Sequence, residues 1–483
     1  MLADRMMDRA LNSQYRKLPQ VGEFVSRAQM QQLVDIYSEE LVTEASRRVI
    51  ARLRTRLTHG AMTDAELQID IEQLGESVAL DLASDRAQSL RSVINATGVI
   101  LQTNLGRAPL SQAAIRRIEE VASGYCNLEF DLISGERSQR GASIEKLILR
   151  LLAAKASAAP SRSALVVNNC AAATYIALNS LAEGGEVIVS RGELVEIGGG
   201  FRIPDILRKS GALLREVGTT NRTRVGDYAA AITPATRILL RVHRSNFRIE
   251  GFTERPTLEE LIHLGQRASV PVFEDQGTGC AVPLDEYGIE DEAYWPDSAS
   301  SDLDLVASSG DKLLGGPQCG ILVGKSSIIE TIRSNPLYRA FRVDKLTYAA
   351  LEGTLTAYLD GNRESIPAIR MLAMQPEAVE RRCHACADAL RSPALHTHVV
   401  ATRSLVGGGT TPGASLSSFA VALEHTGMNE TTLAARLRRL DPPIVGRISD
   451  HRVLLDPRTV PEEYDELLVR RIGAAFRTSE PEE

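Results

Sequence analysis

Lys312 lies in the segment SSGDKLLGGPQCG, directly after the apolar run LDLVASS (303–309), and is followed by Gly315 and Gly316. An amine in a tight turn at the end of a buried strand is partly desolvated. That favours the neutral nucleophile a Schiff-base lysine must be. Ser309, three residues earlier, offers a hydroxyl to a cofactor phosphate. Taken alone, S-x-x-K also describes an ordinary surface lysine in a glycine loop. Asp275 changes that balance: it ends the run VPVFED, 37 residues before Lys312, and Gln276-Gly277-Thr278-Gly279 follow. A carboxylate one βα unit ahead of the lysine is where a pyridoxal phosphate enzyme places the partner of its pyridinium nitrogen, which keeps the ring an electron sink. Read singly, Asp275 is a turn or helix-cap aspartate. The third element is Asn168-Asn169-Cys170-Ala171-Ala172-Ala173, which closes a β run and opens a helix. Small residues there let backbone N–H groups approach a phosphate. Any βα junction favours such residues, but the three elements in this order point to a pyridoxal phosphate site. The chain carries no Walker A motif, dinucleotide fingerprint or HExxH.

Positioning these groups requires a particular scaffold. ALVVNN (164–169), EVIVS (186–190), ALLREV (212–217), RILLRV (237–242), VPVFED (270–275), LDLVASS (303–309) and GILVG (320–324) are separated by helix-length segments. That alternation predicts βαβ units and a mostly parallel sheet, with ligands bound beyond the carboxyl ends of the strands. Residues 1–90 read as helical, 91–345 as the large α/β domain, and 346–483 as a smaller α+β domain. In the last, strand-like runs lie at 399–413, 417–423 and 452–456.

With 483 residues, 43% hydrophobic and 24% charged, the chain has the balance of a multidomain globular protein rather than a disordered one. No run approaches the ~20 apolar residues of a membrane span. The N-terminus mixes acids with bases and lacks an apolar core, so it does not read as a signal peptide. Six thinly spread cysteines suit a reducing cytoplasm rather than a disulfide framework. Net charge is −7. Residues 1–60 nevertheless hold ten Lys+Arg against seven Asp+Glu, a mildly basic head that is either a solvated helix surface or a patch for phosphate. Cys383-His384-Ala385-Cys386, with His396 and His398 beyond, suggests zinc, but a single CxxC in a helical run reads as core packing. No metal site is expected. His243 follows RILLRV and faces the ligand edge, where it could stack on a cofactor ring, bond its phenolate oxygen, or simply fill the core.

Longer blocks carry a resemblance. INATGVILQTNLGRAPLS (94–111), SRGELVEIGGGFRIPDI (190–206), EVGTTNRTR (216–224), VHRSNFRIEGFT (242–253), SGDKLLGGPQCGI (309–321) and PLYRAFRVDK (336–345) resemble the bacterial selenocysteine synthase, or L-seryl-tRNA(Sec) selenium transferase, family. VGGGTTPG (406–413) and GRISDHRVLLDPRT (446–459) extend the likeness almost to the end of the chain. The resemblance implies a fold-type-I pyridoxal phosphate-dependent transferase with a tRNA-binding helical N-terminal domain. It implies a cytoplasmic homo-oligomer, a decameric ring of dimers with active sites at dimer interfaces. Lys312 would then carry the cofactor, with Asp275, Ser309, Asn169, Cys170, Ala171 and His243 around it. Asp311 would assist proton transfer or activation of the selenium donor. Arg107, Arg339 and Arg342 would bind selenophosphate, and three guanidiniums suit an oxyanion on physical grounds as well. The partners implied are serine-charged tRNA(Sec) and selenophosphate. Three positions depart from the family pattern: Gln276 stands in place of an apolar residue, Cys170 where Asn or a small residue is usual, and Cys319 in GGPQCG where a small residue is usual, as inert packing. A small-molecule lyase or transferase of the same fold and a non-catalytic tRNA-binding scaffold are the competing readings.

Overall fold

The seven apolar runs become one seven-stranded sheet in the computed structural model, which describes residues 14–58, 63–86, 90–153, 161–290 and 292–476. From edge to edge the strands are Arg162–Val167, Gly320–Lys325, Leu305–Ser309, Val272–Asp275, Thr236–Val242, Glu186–Ser190 and Leu213–Val217. All pairings are parallel except those of Gly320–Lys325, which runs against both of its neighbours. Successive side chains in a strand point to opposite faces, and here both faces are apolar. Ala164, Val166, Leu239, Val306 and Ile321 pack on one side with the helices Ala142–Ala153 and Leu258–Ala268. Leu165, Val167, Leu240, Phe273 and Leu322 pack on the other with Cys170–Ala182 and Ser326–Ser334. The loops after the parallel strands are thereby gathered on one edge.

The C-terminal sheet contains Arg447–Ser449, Arg452–Leu455, Ser415–His425, Leu395–Gly407 and, parallel to the last, Val99–Leu101. Ile94–Asn95 pairs with Ile444–Val445. The segment expected to open the large domain thus supplies strands to the C-terminal part. Strands of two and three residues are too short to show a period-two signal. Packing also crosses the expected division at 345/346, because Tyr348, Leu351 and Leu355 of the helix Lys345–Leu359 belong to the core of the seven-stranded sheet. Cys383 is buried with Val379 and Leu390, Cys386 packs beside them, and His396 and His398 are exposed on the strand Leu395–Gly407.

The chain divides into two compact units, Met1–Ser92 and Val93–Glu483. In the first, helices Val21–Val25, Ala28–Tyr37, Glu39–Thr58, Asp64–Glu72 and Leu74–Arg86 enclose a core that includes Phe24, Met30, Val42, Val49, Leu53, Leu67 and Val78. Thr63 and Glu66 form a capping box at the start of Asp64–Glu72. Part of the basic excess serves the fold: Arg48 and Arg52 both bind Asp81, and Arg56 binds Asp70 at 2.6 Å. Arg5 and Arg9 of the basic head, and the acidic tail SEPEE, lie outside the described residues. No helix among the described residues is long and apolar enough to cross a membrane.

Candidate active site

A cleft of about 300 Å³ opens at the carboxyl ends of the central strands. Arg107, Asn169, Cys170, Ala171, His243, Asp275, Ser309 and Lys312 line it. Lys312 follows the strand Leu305–Ser309 and is buried, and its Nζ donates to the Gly409 carbonyl at 2.6 Å. Burial pushes the Lys312 ammonium below the usual lysine range, favouring the neutral amine. Asp275 ends its strand with Oδ2 accepting from the Thr174 hydroxyl at 2.8 Å and Oδ1 facing the Cys170 thiol at 3.6 Å. Burial pushes the Asp275 carboxyl up, while the Thr174 bond and the Lys312 charge pull against it.

Gly277 links the two groups. Its φ is +70°, and a Cβ placed there would stand 3.8 Å from Asp275 Oδ1 and 3.9 Å from Lys312 Nζ. Carboxylate and amine therefore face the same small space, which only a glycine leaves open. Asn169 caps the helix Cys170–Ala182 by accepting from the Ala172 N–H at 2.9 Å. That leaves the first two helical N–H groups, of Cys170 and Ala171, for an anion in the cleft.

Asp311 is held from two sides: the Ser309 hydroxyl donates to Oδ1 at 2.9 Å and Arg107 Nη1 donates to Oδ2 at 2.6 Å. Ser309 is thus turned toward Asp311, so binding a phosphate requires rotation of its hydroxyl. His243 places Nε2 3.5 Å from Glu292 Oε2, and its buried Nδ1 has no partner.

Arg339 and Arg342 do not join Arg107. Neither lines the cleft; Arg339 is exposed, and Arg342 lies 3.8 Å from Glu129. A backbone bridge from Arg342 to Val167 and a bond from the Asn168 N–H to the Phe341 carbonyl hold their segment against the edge strand. The three-arginine anion pocket expected from the sequence is therefore not assembled within one chain. Gln276, the polar departure, is buried and satisfied: it accepts from Ser308 at 3.2 Å and faces Ser298 Oγ at 3.5 Å. Sequence reading missed Thr174, Ser245, Gln318 and Gly409. Only Thr174, four residues beyond Cys170 on the same helix, carried a usable spacing signal.

The residues present fit pyridoxal phosphate. The half-buried Asp275 carboxylate has no ion-pair partner among the described residues, and the desolvated Lys312 amine, facing it across the space beside Gly277, bonds the Gly409 carbonyl. Two helix N–H donors stand at the end of the cleft formed by Asn169–Ala171, and His243 Nδ1 and Ser245 Oγ are buried without partners.

Comparison with known proteins gives the family. A family model described as L-seryl-tRNA selenium transferase matches residues 93–461, and one described as selenocysteine synthase N terminal matches residues 15–54. The L-seryl-tRNA(Sec) selenium transferase of Aquifex aeolicus is 44% identical over 452 residues, covering 93% of this chain and 96% of that protein. The protein of the same name from Geobacter sulfurreducens is 43% identical over 451 residues, covering 92% and 96%. Among solved structures, D-glucosaminate-6-phosphate ammonia-lyase superposes with a TM-score of 0.55 at 21% identity, covering 80% of this chain and 96% of that one. The two share a fold.

Proposed function

The chain belongs to the L-seryl-tRNA(Sec) selenium transferase family, and from that premise we propose that its cleft binds pyridoxal phosphate and converts L-seryl-tRNA(Sec) to L-selenocysteinyl-tRNA(Sec). The observation that carries this reading is the facing of Lys312 and Asp275 across Gly277. When bound, the cofactor would supply an electron sink, so that loss of the seryl Cα proton lets the β-hydroxyl leave as water and the selenium of selenophosphate add in its place, its bond to phosphorus being hydrolysed to release phosphate.

The chain's own residues do the rest. Lys312 holds the cofactor and, as a desolvated amine, takes the Cα proton. Asp275 keeps the ring nitrogen protonated. The N–H groups of Cys170 and Ala171, with Asn169 and Ser309, would hold the cofactor phosphate, and His243 would face the ring or its phenolate oxygen. Asp311 assists proton transfer, and its pairing with Arg107 couples that role to the selenium donor, selenophosphate. Arg339 and Arg342 complete the anion pocket of a neighbouring subunit in a cytoplasmic homo-oligomer, a decameric ring of dimers. That arrangement would account for their absence from the lining of their own chain's cleft. The helical unit, within 1–90, grips the tRNA; 91–345 and 346–483 form the catalytic body.

The test is the visible absorbance of the cofactor-loaded protein, read before and after adding serine-charged tRNA(Sec). A band that shifts with the charged tRNA and not with free serine is the expected result. A band indifferent to the tRNA favours a small-molecule lyase, and no band with added pyridoxal phosphate leaves a non-catalytic scaffold.

A further inference from the structure

Asp275 is gripped by two side chains on one turn of a single helix. Cys170 and Thr174 stand four residues apart on Cys170–Ala182 and so project from one face. Cys170 meets Oδ1 at 3.6 Å and Thr174 meets Oδ2 at 2.8 Å. Thr174 is fully buried, beside Ala173 and Ile176 of the apolar core. A threonine within a helix ordinarily bonds back to the carbonyl four residues earlier. Here that carbonyl, of Cys170, lies 3.1 Å away, farther than the carboxylate oxygen. A hydroxyl has one proton, and a charged acceptor at the shorter distance takes it. Valine would fill the same volume, so packing alone does not call for the hydroxyl.

We propose that Thr174, assisted by Cys170, is a positioning residue that holds Asp275 ionised and fixes its plane toward the ring nitrogen of the bound cofactor. The inference rests on the role given to Asp275 above. A carboxylate offers roughly four acceptor directions. With one on each oxygen taken by the helix, the remaining directions are left to the cleft. The charged or titratable groups that bear on Asp275 are Cys170 from the helix, Lys312 from the turn after Leu305–Ser309, and His243 from the end of Thr236–Val242. Desolvation drives Asp275 toward its neutral form, and a neutral acid would give up its pull on the ring proton.

The experiment titrates cofactor-free full-length protein with pyridoxal phosphate. It records the dissociation constant and the pH midpoint of the visible band for wild type, Thr174→Val, Thr174→Ser, Cys170→Ala and Asp275→Asn. Thr174→Val should weaken binding about tenfold, as expected for losing a bond to a partly desolvated charge, and displace the midpoint. Thr174→Ser should retain both wild-type values, and Cys170→Ala should show a smaller change in the same direction. A merely structural threonine would leave the pH midpoint in place. Should Thr174→Val fail to fold, Thr174→Ala must show the same shift. Wild-type affinity and midpoint in Thr174→Val, with Asp275→Asn impaired, would overturn the role of Thr174. An unimpaired Asp275→Asn would overturn the assignment of Asp275 and this proposal with it.

Discussion

Gly277→Ala separates folding from cofactor binding. Adding a methyl at φ +70° places a non-glycine residue in the left-handed region, which costs about 1–2 kcal/mol. The new carbon would make only ordinary contacts with the protein, at 3.8 Å to Asp275 Oδ1 and 3.9 Å to Lys312 Nζ, so no steric term adds to the folding cost. For a unit of this size the cofactor-free melting temperature should fall by only a few degrees, at about 2–4 °C per kcal/mol or less. The cofactor meets a different situation. Carbon atoms approach one another no closer than about 3.5 Å without repulsion, so a ring held between the carboxylate and the amine would be displaced by the added methyl. Losing its charged hydrogen bond to Asp275 is worth about 1.5–3 kcal/mol, or roughly 10- to 100-fold in affinity. Calorimetry of the cofactor-free protein, followed by absorbance titration with pyridoxal phosphate, measures the two effects independently. Unchanged cofactor affinity in a folded Gly277→Ala protein would refute the placement of the ring between Asp275 and Lys312.

Lys312→Ala should abolish turnover with serine-charged tRNA(Sec) and eliminate borohydride-stable cofactor attachment, which mass spectrometry reads directly. Burial depresses the Lys312 pKa, so the neutral amine persists to lower pH than in free lysine. The rate of cofactor capture, followed by stopped-flow absorbance, should level off below the usual lysine range, while a lysine peptide gains about tenfold per pH unit up to it. The same depression means the unfolded chain binds the extra proton, so Lys312 makes stability rise with pH between its folded value and 10.5. Deleting residues 1–85 should abolish tRNA binding in a filter assay and leave the visible band intact; retained tRNA affinity would refute the gripping role of the helical unit. Arg107→Ala and Arg339→Ala, each inactive alone, should recover activity when mixed as subunits if the two arginines serve one site across chains. Failure of the mixture to recover would refute the shared pocket.

The central sheet was legible because its inner strands are buried on both faces, as Leu305–Ser309 is, and a run of that kind between helices has few other readings. Lys312 and Asp275 were legible for the same reason: both stand where such a run ends. Thr174 was legible only as a neighbour of Cys170 on one helix face, because a hydroxyl inside a helix gives no sign of where its proton goes until the facing carboxylate is placed. The pairing of Ile94–Asn95 with Ile444–Val445 was hidden by brevity and by sequence distance. The arginines show a different limit. Arg107, Arg339 and Arg342 share a chemical type that suits one anion, but type says nothing about which side of the strand Arg162–Val167 each one occupies.

The pairing of the first strand of the catalytic body with nearly its last has a consequence for how the protein is made. Ile94–Asn95 and Val99–Leu101 leave the ribosome early, yet their hydrogen-bonding partners, Ile444–Val445 and Leu405–Gly407, emerge hundreds of residues later. Long-range pairings of this kind form late, and domains near the N-terminus fold first during synthesis. The helical unit closes its core from residues before Ser92 and is complete while the catalytic body is still being translated. A nascent chain therefore completes the helical unit, proposed above to grip the tRNA, before the body that holds the cleft can fold.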